Sequence, residues 1–197
     1  MTAAADRVAA VVLAGGEATR FGSTKQLAEL RGSPLVAHVV RAALDAGLGE
    51  VVVVVGHEGG DVAAAVPPEQ HVRVVGNPDH EEGIASSLRA GLRALGPEVA
   101  CAVVLLADEP GLAPDAVRAV IAGWRESRLP IVRARYGDRP GHPVALDRSV
   151  WDRALALRGD AGVREIIRTQ PELVHEAMID ARAPVDVDRP EDLDRLH

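Results

Sequence analysis

Val11-Val12-Leu13-Ala14-Gly15-Gly16-Glu17-Ala18-Thr19-Arg20-Phe21-Gly22-Ser23-Thr24-Lys25 decides how the chain is read. An apolar run stops at two glycines, and a basic loop carrying Arg20, Gly22 and Lys25 follows. Glycine lets backbone N–H groups come close to an anion, and the two cations can neutralise phosphate charge. The spacing excludes a Walker A loop, because Lys25 lacks the required glycine spacing and trailing Ser/Thr. It also excludes the dinucleotide fingerprint, since no G-x-G-x-x-G is present. What is left is a strand that delivers a phosphate-handling loop.

Outward from this loop, strand-like and helix-like segments alternate. Val8 to Leu13 reads as a strand buried on both faces. Ser33 caps a helix with Pro34 in its first turn, running to Ala46 and stopped by Gly47. Val51 to Val55 is an unbroken run of valine, the clearest buried strand. Asp61 to Val66 reads as a short helix, Val72 to Val75 as a strand, Gly83 to Leu95 as a helix and Cys101 to Leu106 as a strand. Pro114 to Trp124 is helical. Ile131 to Arg135 and Val144 to Leu146 are strands flanking a Gly/Pro loop. Ser149 to Leu157 and Val163 to Thr169 are helical, Leu173 to Ala177 and Pro184 to Val187 short strands, and Glu191 to Leu196 a last helical turn or two. Such alternation predicts one domain over 1–197: a Rossmann-like three-layer α/β/α fold with a mostly parallel sheet. Ligands of such sheets bind beyond the carboxyl ends of the strands. The polar clusters at Gly15 to Lys25, Asn77 to Ser87, Asp108 to Pro110 and Asp186 to Asp188 each follow a strand.

The 197 residues suffice for one sizeable core, and at 47% hydrophobic but 2% aromatic that core must be aliphatic. Few aromatics and a net charge of −7 exclude a base-stacking or polyanion-binding platform, so no nucleic-acid partner is expected. Cys101 is the single cysteine, which rules out an intrachain disulfide and suits a reducing compartment. Its apolar neighbours read as a buried strand. With no leader and no stretch able to span a bilayer, a soluble cytoplasmic protein without a membrane partner is expected.

Individual residues carry the chemistry. Lys25 offers a point charge and Arg20 a fork for two phosphate oxygens. Asp108 ends a buried apolar run and is placed to hold Mg²⁺, which takes one or two carboxylates plus phosphate oxygens and waters; a turn or cap role is the alternative. Glu109 reads equally as a plain loop residue. Asp186 and Asp188, alternating in a strand, would point to opposite faces, so one at most would face a given site. Asp188 could instead cap the final helix, with Pro190 in its first turn. The Asn77 to Ser87 loop enters a helix, either as ordinary capping or as a site for phosphate or a base edge. His142, in the Gly137 to Pro143 loop, is a structural or exposed histidine or a substrate contact.

Taken together, these pieces resemble the nucleotidyltransferases, and within them the molybdenum cofactor cytidylyltransferase-like branch, over nearly the whole chain. Leu13-Ala14-Gly15-Gly16 with Arg20, Gly22 and Lys25 looks like the superfamily's signature loop. Asn77, Gly83-Ile84-Ala85-Ser86-Ser87-Leu88, Asp108-Glu109-Pro110, Gly141-His142-Pro143-Val144, Gly159-Asp160-Ala161-Gly162-Val163-Arg164 and Val185 to Leu193 follow in order. The resemblance implies Mg²⁺-dependent transfer of a nucleoside monophosphate, from CTP, to a phosphorylated acceptor such as molybdopterin, with release of pyrophosphate. By that analogy Asp108 and Asp188 hold the metal. Arg20, Lys25 and Asp108 are catalytic. Leu13, Ala14, Gly15, Gly16, Gly22, Asn77, Gly83 and Ser87 bind the nucleotide, and His142 lines the acceptor side. A molybdoenzyme or accessory partner is compatible with it.

Two positions depart from the pattern. Ala107 replaces the usual glycine before the metal aspartate and would put a methyl close to the ligand. Gly15-Gly16 stands where cytidylyl members carry Ala-Gly and resembles the guanylyltransferase branch, so guanylyl transfer is one alternative. A sugar-phosphate nucleotidyltransferase shares the first loop, and a nucleotide- or cofactor-binding accessory protein is the non-enzymatic alternative.

Overall fold

The computed structural model describes residues 7–16, 21 and 24–196. In chain order the strands and helices are β1 (Arg7–Ala14), β2 (Glu29–Leu30), β3 (Ser33–Pro34), α1 (Leu35–Asp45), β4 (Val51–Val55), α2 (Gly59–Ala65), β5 (Val72–Gly76), α3 (Ile84–Ala94), β6 (Val99–Leu106), α4 (Pro114–Ser127), β7 (Ile131–Tyr136), β8 (Arg139–Asp147), α5 (Trp151–Ala156), α6 (Val163–Thr169), β9 (Val174–Met178) and α7 (Pro190–Leu193). Among the described residues, seven strands form one sheet in the order β5-β4-β1-β6-β8-β7-β9, and β2 pairs with β3 apart from it. β5, β4, β1 and β6 run parallel, β8 is antiparallel to β6 and β7, and β9 is parallel to β7.

β1 and β4 are buried on both faces because helices cover both. Ala10, Val12, Val51 and Val53 pack towards α1 and α4; Ala9, Val11, Val52 and Val54 pack towards α3. Cys101 is fully buried in β6, as its neighbours implied. From β1 the chain builds outward to β4 and β5 on one side, then returns to β6 on the other. The loops leaving β1 and β6 therefore part at a crevice, the place where such sheets bind ligands. Among the described residues no helix is long and apolar enough to cross a membrane.

Four local expectations are corrected. Ser33 and Pro34 form β3 rather than opening a helix: Pro34 is extended at φ −60°, ψ 148°, and α1 starts one residue later. The Gly137 to Pro143 segment is mostly strand, because β7 and β8 close into a hairpin in which Tyr136 opposes Arg139, so His142 lies on β8. A 3₁₀ turn over Arg148–Val150 precedes α5, started by the Asp147 carboxylate accepting from the Ser149 N–H at 2.9 Å. Pro184 to Val187 is no strand; Pro184 has no N–H to donate, and the segment is tied instead by Val187 N–H to the Asp108 carbonyl at 2.9 Å.

Candidate active site

The crevice is a cleft of about 730 Å³ lined by the ends of β1 and β6 and the start of α3, including Leu13, Gly15, Gly16, Lys25, Gly83, Ser87 and Asp108. Ala107 N–H donates to the Leu13 carbonyl at 3.1 Å and so joins the two strand ends. Ala14 ends β1 and is buried in the core, away from the cleft. Ala107 is also core: its methyl packs on the α4 side of the sheet, so the expected close approach to a ligand does not occur. Strand alternation gives the reason, since Leu106 faces the cleft and its neighbour must face away.

Lys25 lines the cleft and starts a 3₁₀ turn, Lys25–Leu27. The buried Gln26 amide donates to the Gly16 carbonyl at 3.0 Å and anchors that turn to the glycine pair. Lys25 Nζ donates to Asp108 Oδ2 at 2.6 Å and to Asp188 Oδ1 at 3.0 Å. Burial alone would lower the ammonium pKa, but the Asp108 charge and hydrogen bond, with those of Asp188, outweigh it and hold the pKa above its ordinary value. Residues far apart in sequence thus meet at one cationic centre. Arg20 and Gly22 lie outside the described residues.

Asp188 is not the helix cap. The Asp192 carboxylate accepts from the N–H groups of Asp188 and Arg189 at 3.1 and 2.9 Å, which frees the Asp188 side chain for Lys25. Asp186 and Asp188 do not point to opposite faces either, because the segment is not a strand and strand alternation does not apply. Asp186 lies against Glu109 and in the field of Asp108 and Asp188. Burial first, then the Glu109 carboxylate, push its pKa up to about 6.

Asn77 follows β5 and is buried, donating to Ser86 Oγ at 2.8 Å and Ser87 Oγ at 3.1 Å. It shapes the wall rather than lining the main cleft. Ser87 in turn abuts Gly15: a Cβ on Gly15 would lie 2.8 Å from Ser87 Oγ. That contact gives the second glycine-loop departure a packing reason in this chain. Gly83 precedes α3 at φ +90°, and a Cβ there would lie 2.5 Å from the Gly159 carbonyl carbon. Only glycine allows the Gly159–Asp160 turn to close on the cleft. His142 stands beside Glu109, outside the main cleft.

The sequence reading missed Gln26, His80, Glu81, Ile84 and Asp160 as cleft residues and left Glu109 open. The Gly159-Asp160 motif was the available signal for Asp160. Nothing local marks Gln26 or Glu109, whose burial comes from packing.

The Lys25–Asp108–Asp188 centre fits a divalent cation: its two carboxylates already converge on one positive charge. Among the described residues no group of three or more His, Cys, Asp or Glu is arranged to hold a metal, so such an ion would draw its other donors from substrate phosphate and water.

Comparison with known proteins agrees with the fold. The model of the MobA-like NTP transferase domain matches residues 10–176. The chain is 36% identical over 129 residues to the bifunctional protein GlmU of Anaeromyxobacter dehalogenans, covering 63% of this chain and 26% of that one. It thus spans about a quarter of the length of that curated relative. Among solved structures it is similar to Rv0371c from Mycobacterium tuberculosis, with TM-score 0.86, 31% identity and 98% of both chains covered. It is also similar to the structure of Rv0371c in complex with manganese, at TM-score 0.80 and 30% identity over 96% of this chain and 97% of that one. With two thirds of its length and more inside one family model, the chain belongs to the MobA-like NTP transferase domain family.

Proposed function

We propose that this chain, as a single domain, transfers a nucleoside monophosphate from a nucleoside triphosphate to a phosphorylated small-molecule acceptor and releases pyrophosphate. The nucleotide is CTP and the acceptor molybdopterin or the molybdenum cofactor, on the strength of the Gly-His-Pro and Gly-Asp-x-Gly resemblance. The observation that carries the reading is Lys25 held between Asp108 and Asp188 in the cleft.

Leu13, Gly15, Gly16, Gly83 and Ser87 line the space for the nucleotide, with Ala14 and Asn77 supporting it from behind. Arg20 and Gly22 belong to the same phosphate loop in sequence. An acceptor phosphate oxygen attacks the α-phosphorus in line, and the bond to the pyrophosphate oxygen breaks. That oxygen is already ionised, so the protein needs no strong general base; it contributes position and charge. Lys25 is the cation nearest this centre among the described residues, and it meets charge building on the transferred and leaving groups. Asp108 and Asp188 would hold Mg²⁺, which supplies Lewis-acid stabilisation of phosphate charge when bound. The solved relative in complex with manganese supports the use of a divalent ion. His142 lines the acceptor side, a reducing cytoplasmic compartment suits the lone cysteine, and a molybdoenzyme could take the product.

Calorimetry with CTP, GTP, ATP and UTP, each with Mg²⁺, tests the reading on wild type and Asp108→Asn. CTP preference that weakens in the variant supports it. GTP preference moves the donor to the guanylyl branch. Pyrophosphate release with sugar phosphates but not molybdopterin moves the acceptor. Acceptor binding without pyrophosphate release leaves an accessory protein.

A further inference from the structure

Among the described residues Arg89 is the only buried basic residue, at 8% exposed. It lies on α3, behind the cleft rather than in its lining. Its guanidinium forks between two segments far apart in the chain. Nη2 donates to Glu82 Oε2 at 2.7 Å, and Nη1 donates to the Leu157 carbonyl at 2.9 Å. Glu82 ends a 3₁₀ turn, His80–Glu82, and Leu157 follows α5 and leads into the Gly159–Asp160 turn. Burying a cation is costly unless its donors are matched. Glu82 is 59% exposed, so the ion pair by itself adds little stability. What the fork does is fix two loops to one helix.

Both loops carry cleft residues. His80, Glu81 and Gly83 come with the first, and Asp160 comes with the second. The loops also meet directly: Ala85 N–H donates to the Gly159 carbonyl at 3.1 Å, and a Cβ on Gly83 would lie 2.6 Å from Asp160 Oδ1. The wall they form differs in charge from the part of the cleft that Lys25 lines. Glu81 and Asp160 bring carboxylates, which repel phosphate and accept from O–H and N–H groups. A nucleoside triphosphate offers phosphates to the cation, and ribose hydroxyls and base N–H groups to the carboxylates. This wall therefore suits the nucleoside.

We propose that Arg89 is a positioning residue for the nucleoside half of the donor: it sets the Glu81–Gly83 segment and Asp160 against each other without touching the ligand. This rests on the nucleotidyl-transfer reading. Arginine serves because its planar fork meets the two acceptors with separate nitrogens, whereas a lysine has one nitrogen for both.

Calorimetry on the full chain with Mg²⁺ tests this with two probes. One is the α,β-methylene analogue of CTP or of GTP, whichever wild type binds more tightly. The other is inorganic tripolyphosphate, which lacks the nucleoside. Arg89→Lys should weaken the nucleotide analogue about tenfold and tripolyphosphate by less than about twofold, since the charged hydrogen bonds it loses support the nucleoside wall alone. Glu82→Gln should stay within about twofold of wild type on both probes, because its amide oxygen still accepts. Glu82→Ala, a change at an exposed side chain, should show the same selective loss at about threefold, and it decides the matter if Arg89→Lys does not fold. Unchanged affinity of Arg89→Lys for the analogue overturns the proposal. So does an equal loss for both probes, which is what general loosening of the fold would give. Equal losses in Glu82→Gln and Arg89→Lys overturn it too, since the effect would then follow charge and not the fork. If wild type binds tripolyphosphate but neither nucleotide analogue, the nucleotidyl-transfer reading falls and takes the Arg89 assignment with it.

Discussion

Replacing Lys25 with methionine keeps the aliphatic stem and removes the charge between Asp108 and Asp188. Breaking a buried ion pair costs roughly 3–5 kcal/mol and an exposed one about 0.2–1. Lys25 and Asp108 are 11% and 22% exposed but Asp188 is 53% exposed, so the second bond is largely screened by solvent. The expected loss is about 2 kcal/mol, between those limits. With a urea m-value of about 2 kcal/mol/M, the unfolding midpoint falls by about 1 M. Because the Lys25 pKa is raised in the folded protein, its contribution is complete at neutral pH and is lost only as alkaline pH passes through that raised value. The neutral-pH difference should therefore be flat. Millimolar Mg²⁺ should restore the variant's midpoint more than it raises the wild type's, since in wild type the ammonium already occupies the two carboxylates. Urea unfolding followed by circular dichroism, with and without Mg²⁺, measures this. An unchanged midpoint would refute the assignment of Lys25 as the charge that holds the two aspartates together; equal Mg²⁺ effects would refute the shared cation site.

Asp108→Asn should abolish pyrophosphate release while retaining the wild-type circular dichroism spectrum; turnover near wild type would remove Asp108 from the chemistry. Gly83→Ala should destabilise by about 3 kcal/mol, since it combines an unfavourable positive φ with a clash against the Gly159 backbone, and thermal unfolding reads this directly. Asp186→Asn should stabilise the protein at neutral pH in the presence of a chelator. The folded carboxyl titrates near 6, above its ordinary 3.8, so its charge opposes folding above that range; protonation removes the penalty as pH falls from 6 towards 4. Because the side chain is exposed at one side, the gain is about 1 kcal/mol rather than the full linkage value, and urea unfolding across that interval should show it vanish at the acid end.

The architecture was legible where local chemistry and tertiary context agree. The Val51–Val55 run can be satisfied only inside a sheet covered on both faces, and β4 is buried throughout. The Gly15-Gly16 stop and Lys25 marked the loop after β1, and all three line the cleft. Misreadings occurred where one local rule met a competing one. Pro34 suits a first helical turn but equally an extended residue beside β2, and the pairing with Glu29 decided for the latter. Asp186 and Asp188 were placed on opposite faces by strand alternation, which lapses when the segment makes a single tie to Asp108 instead of a ladder.

The residue order of this chain by itself determined the α/β class, the buried strands, the glycine pair that ends β1 and the candidacy of Lys25, Asp108 and Asp188, because each follows from periodicity or backbone freedom within a few residues. Tertiary structure alone decided that Lys25 bridges the two aspartates, that Asp192 rather than Asp188 caps α7, and that Glu109 is buried beside Asp186. These are properties of space between distant segments. A carboxylate's solvation and neighbours are set by which strand ends the fold brings together, and no local pattern encodes them.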